Sequence, residues 1–169
     1  SSSLKSSLFA VPAAGEMRAV AVGQVEGLGT APRLKVKDGA GERIADEQWD
    51  TSEVASHAQA LQRIAALLRA RFQGSVLAGV GHRVVHGGLE YTQPVRMDAA
   101  ILAALAKYVP LAPLHQPHNL APIRSLLERL PQLPQVACFD TSFHSGAPPV
   151  AQAFALPKAI TERGVRRYG

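Results

Sequence analysis

Residues 75–88, Ser75-Val76-Leu77-Ala78-Gly79-Val80-Gly81-His82-Arg83-Val84-Val85-His86-Gly87-Gly88, are the stretch from which the fold class is read. A short apolar run is bounded by Gly74 on one side and passes into a glycine-flanked segment carrying two histidines and an arginine on the other. The pattern predicts a buried strand over Ser75–Val80 that delivers polar residues at its carboxyl end. That is where open α/β sheets carry their chemistry, because loops there converge on a ligand.

Upstream of this strand the period is helical. Val54, Leu61, Ile64, Ala65, Leu67, Leu68 and Phe72 recur at three- and four-residue steps, with Gln62, Arg63 and Arg69 on the other face. Thr51 or Ser52 is the expected cap and Gly74 the stop. Before it, residues 3–11, Met17 to Gly23 and Arg33 to Val36 are separated by glycine-containing breaks and predict successive antiparallel hairpins. Downstream, Asp98 caps a helix through Ile101, Leu102, Leu105 and Tyr108 that ends at Pro110. Another helix runs from His118 or Asn119 to Leu130 before Pro131, and Gln135 to Phe139 returns as a strand that delivers Asp140. Pro148 or Pro149 starts a further helix through Ala153, and Thr161 to Arg167 lies in or near a last helical turn.

Composition narrows the functional classes. With 169 residues, 47% of them hydrophobic, the chain has the apolar material for one packed domain. The net charge of +5 favours anionic partners, but the aromatic fraction is 5% and no basic block is interleaved with stacking residues. Nucleic acid is therefore not expected as a partner, and an anionic small molecule suits isolated arginines better. No apolar run approaches the ~20 residues of a membrane span. Cys138 is the single cysteine, so no intrachain disulfide forms; with no leader-like opening, a cytoplasmic location is expected.

Arg83, flanked by glycines at the strand end, has the planar fork to clamp a carboxylate or phosphate; the plain alternative is pairing with an acid at the edge of the core. His82 and His86 stand four apart, but the surrounding glycines and valines argue for extended backbone and no third ligand is spaced for zinc. At least one of the two is expected to be a structural hydrogen-bonder. Gly87-Gly88 permits backbone conformations closed to other residues, or the close approach of a ligand.

His115 lies in the stiff loop Ala112-Pro113-Leu114-His115-Gln116-Pro117-His118-Asn119. A histidine fixed this way suits a hydrogen bond to developing negative charge, whereas His118 or Asn119 reads as a helix cap. Asp140 at a strand end can orient a reacting group or help hold Mg²⁺. Phe139-Asp140-Thr141-Ser142-Phe143 is not the small-residue elbow of a serine hydrolase. Ser1, Ser2 and Ser3 with Lys5 have the hydroxyls and amides to cradle a phosphate in a hairpin turn, or are a frayed end; they are not a Walker loop.

Taken in order, Gly81 to Gly88, Ala112 to His115 and Phe139 to His144 resemble the three motifs of the acetokinase family, within the actin, sugar-kinase and heat-shock-ATPase superfamily. The resemblance covers essentially the whole chain. It implies an α/β, ribonuclease H-like (actin-like ATPase) fold with a mixed central sheet and helices on both faces. It implies reversible phosphoryl transfer from ATP to acetate, giving acetyl phosphate and ADP, with Mg²⁺ as cofactor. Propionate and butyrate kinases are relatives, and a noncatalytic acyl- or phosphate-binding module is the reading from a different class.

Residue by residue, the resemblance makes Arg83 the binder of the carboxylate or phosphoryl oxygens. Val85 and Leu114 become walls of the methyl pocket, His115 the residue that polarises the transferring group, and Asp140 the acidic positioning residue, with an indirect relation to the metal. Ser1, Ser2, Ser3 and Lys5 become part of the phosphate-binding turn, without the Asn and Gly that open the family's signature. Leu89 stands where the family commonly has Glu, and Gln116 where it commonly has Asn. Residues 1–169 are thus expected to be an N-terminal, acyl-substrate and partial phosphate-binding domain of a two-domain homodimeric kinase. The second domain and most of the dimer contact are expected outside the chain, and the isolated chain is expected to be inactive.

Overall fold

The computed structural model describes residues 3–165, 167 and 168. They form two compact units, residues 1–75 and 76–169, where the sequence reading expects one domain.

The first unit is a meander. Strands β1 (Leu4–Ala10), β2 (Arg18–Glu26), β3 (Arg33–Asp38) and β4 (Arg43–Gln48) pair in sequence order, every pair antiparallel. The first three are the expected hairpin strands. β4 is an addition, and its charged sequence explains why no apolar alternation announces it. It is an edge strand whose Asp46 accepts from Arg33 Nε at 2.7 Å and Arg43 Nη1 at 3.0 Å, so polar side chains blunt the edge.

Helix α1 (His57–Arg71) covers this sheet with Ala60 and Ile64, which join Val25, Leu34, Val36, Trp49 and Val54 in one core. It starts later than Thr51. Ser56 is the cap: its Oγ accepts from Gln59 N at 3.3 Å while Gln59 Oε1 accepts from Ser56 N at 3.0 Å, a reciprocal capping box. Thr51 instead donates to Thr30 O at 2.8 Å, and Ser52 folds onto Asp50 Oδ1.

In the second unit β5 (Val80–Val84) lies parallel to β7 (Gln135–Phe139), and β6 (Val95–Arg96) pairs with β7 antiparallel, giving a mixed three-stranded sheet ordered β5-β7-β6. The α/β class and a mixed sheet are both present, although the strands are divided between two sheets rather than gathered in one. The β5 strand is shifted from its expected place. Val76 and Leu77 are 90% and 50% exposed, and the ladder opens only where Val80 N reaches Pro134 O at 2.9 Å. Register with β7, not apolarity, sets the boundary, and it puts Arg83 inside the strand instead of after it.

Helix α2 (Ala99–Ala106) is capped by Asp98, whose carboxylate accepts from Ile101 N at 2.7 Å. Helix α3 (Gln116–Arg129) begins before the expected His118, because Pro117 occupies the first turn, where a missing N–H goes unused. Leu102 and Leu105 of α2 and Leu120 and Ile123 of α3 pack on Val84, Ala137 and Phe139 in the second core. Alternate residues of the edge strand β5 and the central strand β7, Arg83 and Cys138, point the other way and are exposed. Two short helices follow, α4 (Pro149–Gln152) and α5 (Lys158–Thr161).

Candidate functional site

Parallel pairing of β5 with β7 sets Arg83 beside Cys138, so that the residue after β7, Asp140, comes level with the end of β5. Arg83 Nε donates to Asp140 Oδ1 at 2.8 Å. The Asp140 side chain is 37% exposed and that of Arg83 85%. This hydrogen bond, and then the carboxylate's charge, hold the guanidinium above its already high ordinary pKa, so it is a permanent cation. Only Nε is engaged by Asp140, which leaves the terminal nitrogens turned to solvent and geometrically able to meet an oxyanion.

Beyond β5 the chain leaves its ladder, yet each of the next four backbone N–H groups meets a side-chain acceptor. Val85 N donates to Asn119 Oδ1 at 3.0 Å, His86 N to Gln116 Oε1 at 3.2 Å, Gly87 N to Thr141 Oγ1 at 3.0 Å and Gly88 N to His86 Nδ1 at 3.0 Å. The last bond makes Nδ1 of His86 the acceptor and places the proton of the neutral ring on Nε2. His86 is 5% exposed, its ring 5.6 Å from that of Tyr108 and 4.6 Å from that of Tyr168, and burial pushes its pKa down. His82 meets Gln135 Oε1 at 2.8 Å, and burial outweighs that bond to lower its pKa as well.

The two glycines are required by the protein's own packing. A Cβ on Gly87 would lie 2.5 Å from Tyr91 O and 2.7 Å from the Phe139 ring, and one on Gly88, at φ +64°, would enter the ring of Tyr108.

His115 sits at the head of α3 with its imidazole exposed and not used as a cap. Its neighbour Gln116 is fully buried and bonded to His86, so the histidine loop and the arginine strand are tied through one side chain. Val85 is half-buried and Leu114 is 74% exposed. Neither lines the nearby cleft of about 200 Å³, which is bounded by Gly88, Leu89, Thr141, His144 and Arg167 among others. Ser3 and Lys5 belong to the first unit; Lys5 lies within β1, exposed, and not in a turn, while Ser1 and Ser2 are outside the described residues. Among the described residues no three His, Cys, Asp or Glu side chains gather as a metal site. Asp140 is a single carboxylate already bonded to Arg83, which does not by itself make a magnesium site.

The backbone partners of Asn119, Gln116 and Thr141 emerge only from the structure. The acceptor atoms of these side chains serve backbone 34, 30 and 54 residues away, a distance no local pattern spans.

Residues 1–169 match the sequence profile described as the acetokinase family. The chain belongs to that family. Among curated acetokinase relatives, the acetate kinase of Rhizobium meliloti is 46% identical over 169 residues, and that of Deinococcus radiodurans 42% identical over 170. The crystal structure of Porphyromonas gingivalis acetate kinase superposes with a TM-score of 0.83 at 34% identity, covering 100% of this chain and 42% of that one. A propionate kinase from Francisella tularensis gives 0.81 at 27% identity with the same coverage. These neighbours place the chain in the actin-like ATPase fold. The chain spans 42% of the length of the Rhizobium relative and 41% of the Deinococcus one. No described helix is long and apolar enough to cross a membrane.

Proposed function

We propose that the full-length protein transfers the γ-phosphoryl group of ATP reversibly to acetate, giving acetyl phosphate and ADP. The observation that carries this is the Arg83–Asp140 pair at the carboxyl ends of two parallel strands, in a chain matched along its whole length by acetate kinases. A carboxylate oxygen attacks the γ-phosphorus, the bond from that phosphorus to the β-bridging oxygen breaks, and ADP leaves. No proton has to be removed first, since a carboxylic acid of ordinary pKa is ionised at neutral pH.

Arg83 binds the oxyanion through the nitrogens that Asp140 leaves open. Asp140 fixes the guanidinium plane, because a single bond at Nε decides which edge faces outward. His115 donates a hydrogen bond to the transferring group from its exposed position. Val85 and Leu114 supply apolar surface for the acyl methyl; family membership supports ATP and Mg²⁺ as co-substrate and ion, and a phosphate-binding role for Ser1, Ser2, Ser3 and Lys5, of which Lys5 would act from strand β1 and not from a turn. The likeness to a propionate kinase makes acyl length a matter for kinetics, since one methylene in an apolar pocket discriminates only about 10- to 200-fold.

The test is steady-state acyl phosphate formation by the full-length protein with acetate, propionate and butyrate, alongside Arg83→Ala. Wild type is expected to prefer acetate, and the variant to lose on the order of 100-fold or more in kcat/KM. Unchanged kinetics in Arg83→Ala would remove its role, and no turnover of any short carboxylate by wild type would remove the reading.

A further inference from the structure

We propose that Gln116, with Asn119, is a positioning residue for the carboxylate side of the site, a bracket built into the first turn of α3; this rests on the phosphoryl-transfer reading above. The two residues stand three apart and so share a helix face. Asn119 takes the N–H of Val85 at 3.0 Å. Gln116 takes both polar groups of His86: Oε1 accepts from His86 N at 3.2 Å, and Nε2 donates to His86 O at 2.9 Å. A side-chain amide here does what a neighbouring strand would do, pairing with donor and acceptor of one residue after the ladder has ended at Val84.

The second hydrogen of Nε2 goes to Leu105 O at 3.2 Å, in the last turn of α2. One fully buried side chain therefore pins three pieces of backbone: the end of α2, the start of α3 and the segment following Arg83. His115 immediately precedes Gln116, and Val85 immediately precedes His86. The length of the Gln116 side chain thus sets the separation between the Arg83–Val85 side of the site and the histidine. Shortening it by one methylene draws the two together or breaks the pairing, and catalytic geometry is sensitive to displacements of about 1 Å.

The experiment compares full-length wild type, Gln116→Asn and Asn119→Ala by three readouts: kinetics with acetate and with propionate, the KM for ATP, and amide hydrogen exchange over residues 85–88. Both variants are expected to fold, to lose about tenfold in kcat/KM for acetate with the ATP KM unchanged, and to alter the acetate-to-propionate preference. Exchange at Val85 is expected to quicken about tenfold in Asn119→Ala, as for the loss of one hydrogen bond. Acetate and ATP parameters falling together, in step with the folded fraction, would reduce Gln116 to a purely structural role and overturn the proposal. Unaltered exchange over residues 85–88 in both variants would also overturn it. Wild type that turns over no carboxylate would instead sink the functional reading, leaving the exchange measurement to judge the bracket.

Discussion

Two histidines within five residues of each other, His82 and His86, are held away from water for different purposes. His82 meets Gln135 inside the sheet, and His86 closes the loop onto the N–H of Gly88. Burial lowers both below the ordinary 6.5. The unfolded chain therefore takes up protons near that value while the native state resists them, so stability is flat above it and falls as pH drops through it. Urea unfolding followed from about pH 7.5 to about pH 5 is expected to show this decline, and His82→Gln combined with His86→Gln to flatten it. An unaltered pH slope in the double variant would mean that carboxylates, not these rings, govern the acid limb. The extended backbone at His82 was readable in advance from the glycines and valines, while His86 lies beyond the strand; for Arg83 the residue type left a choice between an anion clamp and a pairing with an acid. Its partner was not readable, because a pairing across 57 residues depends on the parallel register of β5 and β7.

Elements with strong punctuation were legible. Asp140 follows β7 directly and Asp98 caps α2, so those boundaries follow from local chemistry, whereas α2 stops at Ala106, short of the expected Pro110, which lies in a separate 3-10 turn over Val109–Leu111. Elements defined by pairing were not: β5 begins five residues later than its apolar run, β4 is a charged edge, and β6 is two residues long. The loop after β5 is fixed by rings. Gly88 combines φ +64° with a Tyr108 ring where its Cβ would be, so Gly88→Ala carries both a left-handed backbone penalty and overpacking. A loss of about 3 kcal/mol or more is expected. The urea midpoint of the full-length variant measures it, and a shift below about 0.5 kcal/mol, the range of an indifferent surface substitution, would show that Tyr108 yields freely.

Among the described residues of the whole chain two cores are present, one around Val25, Leu34 and Val54 and one around Val84, Leu105 and Ile123. Purified residues 1–169 are expected to form no measurable acetyl phosphate from ATP and acetate, because they span 42% of the length of the Rhizobium relative. Turnover above a no-protein control would refute that expectation. The fold class and the three-motif resemblance could be read from the amino-acid order because motif identity survives without contacts, whereas the division into two units could not, since nothing in composition marks Ser75 as a boundary. The run of four side-chain-held amides from Val85 to Gly88 has a consequence for engineering. The octapeptide Gly81–Gly88 is not a transplantable cassette. Three of its four anchors, Asn119, Gln116 and Thr141, are encoded elsewhere, so a graft of the octapeptide alone would carry the arginine into a new host and leave its shape behind.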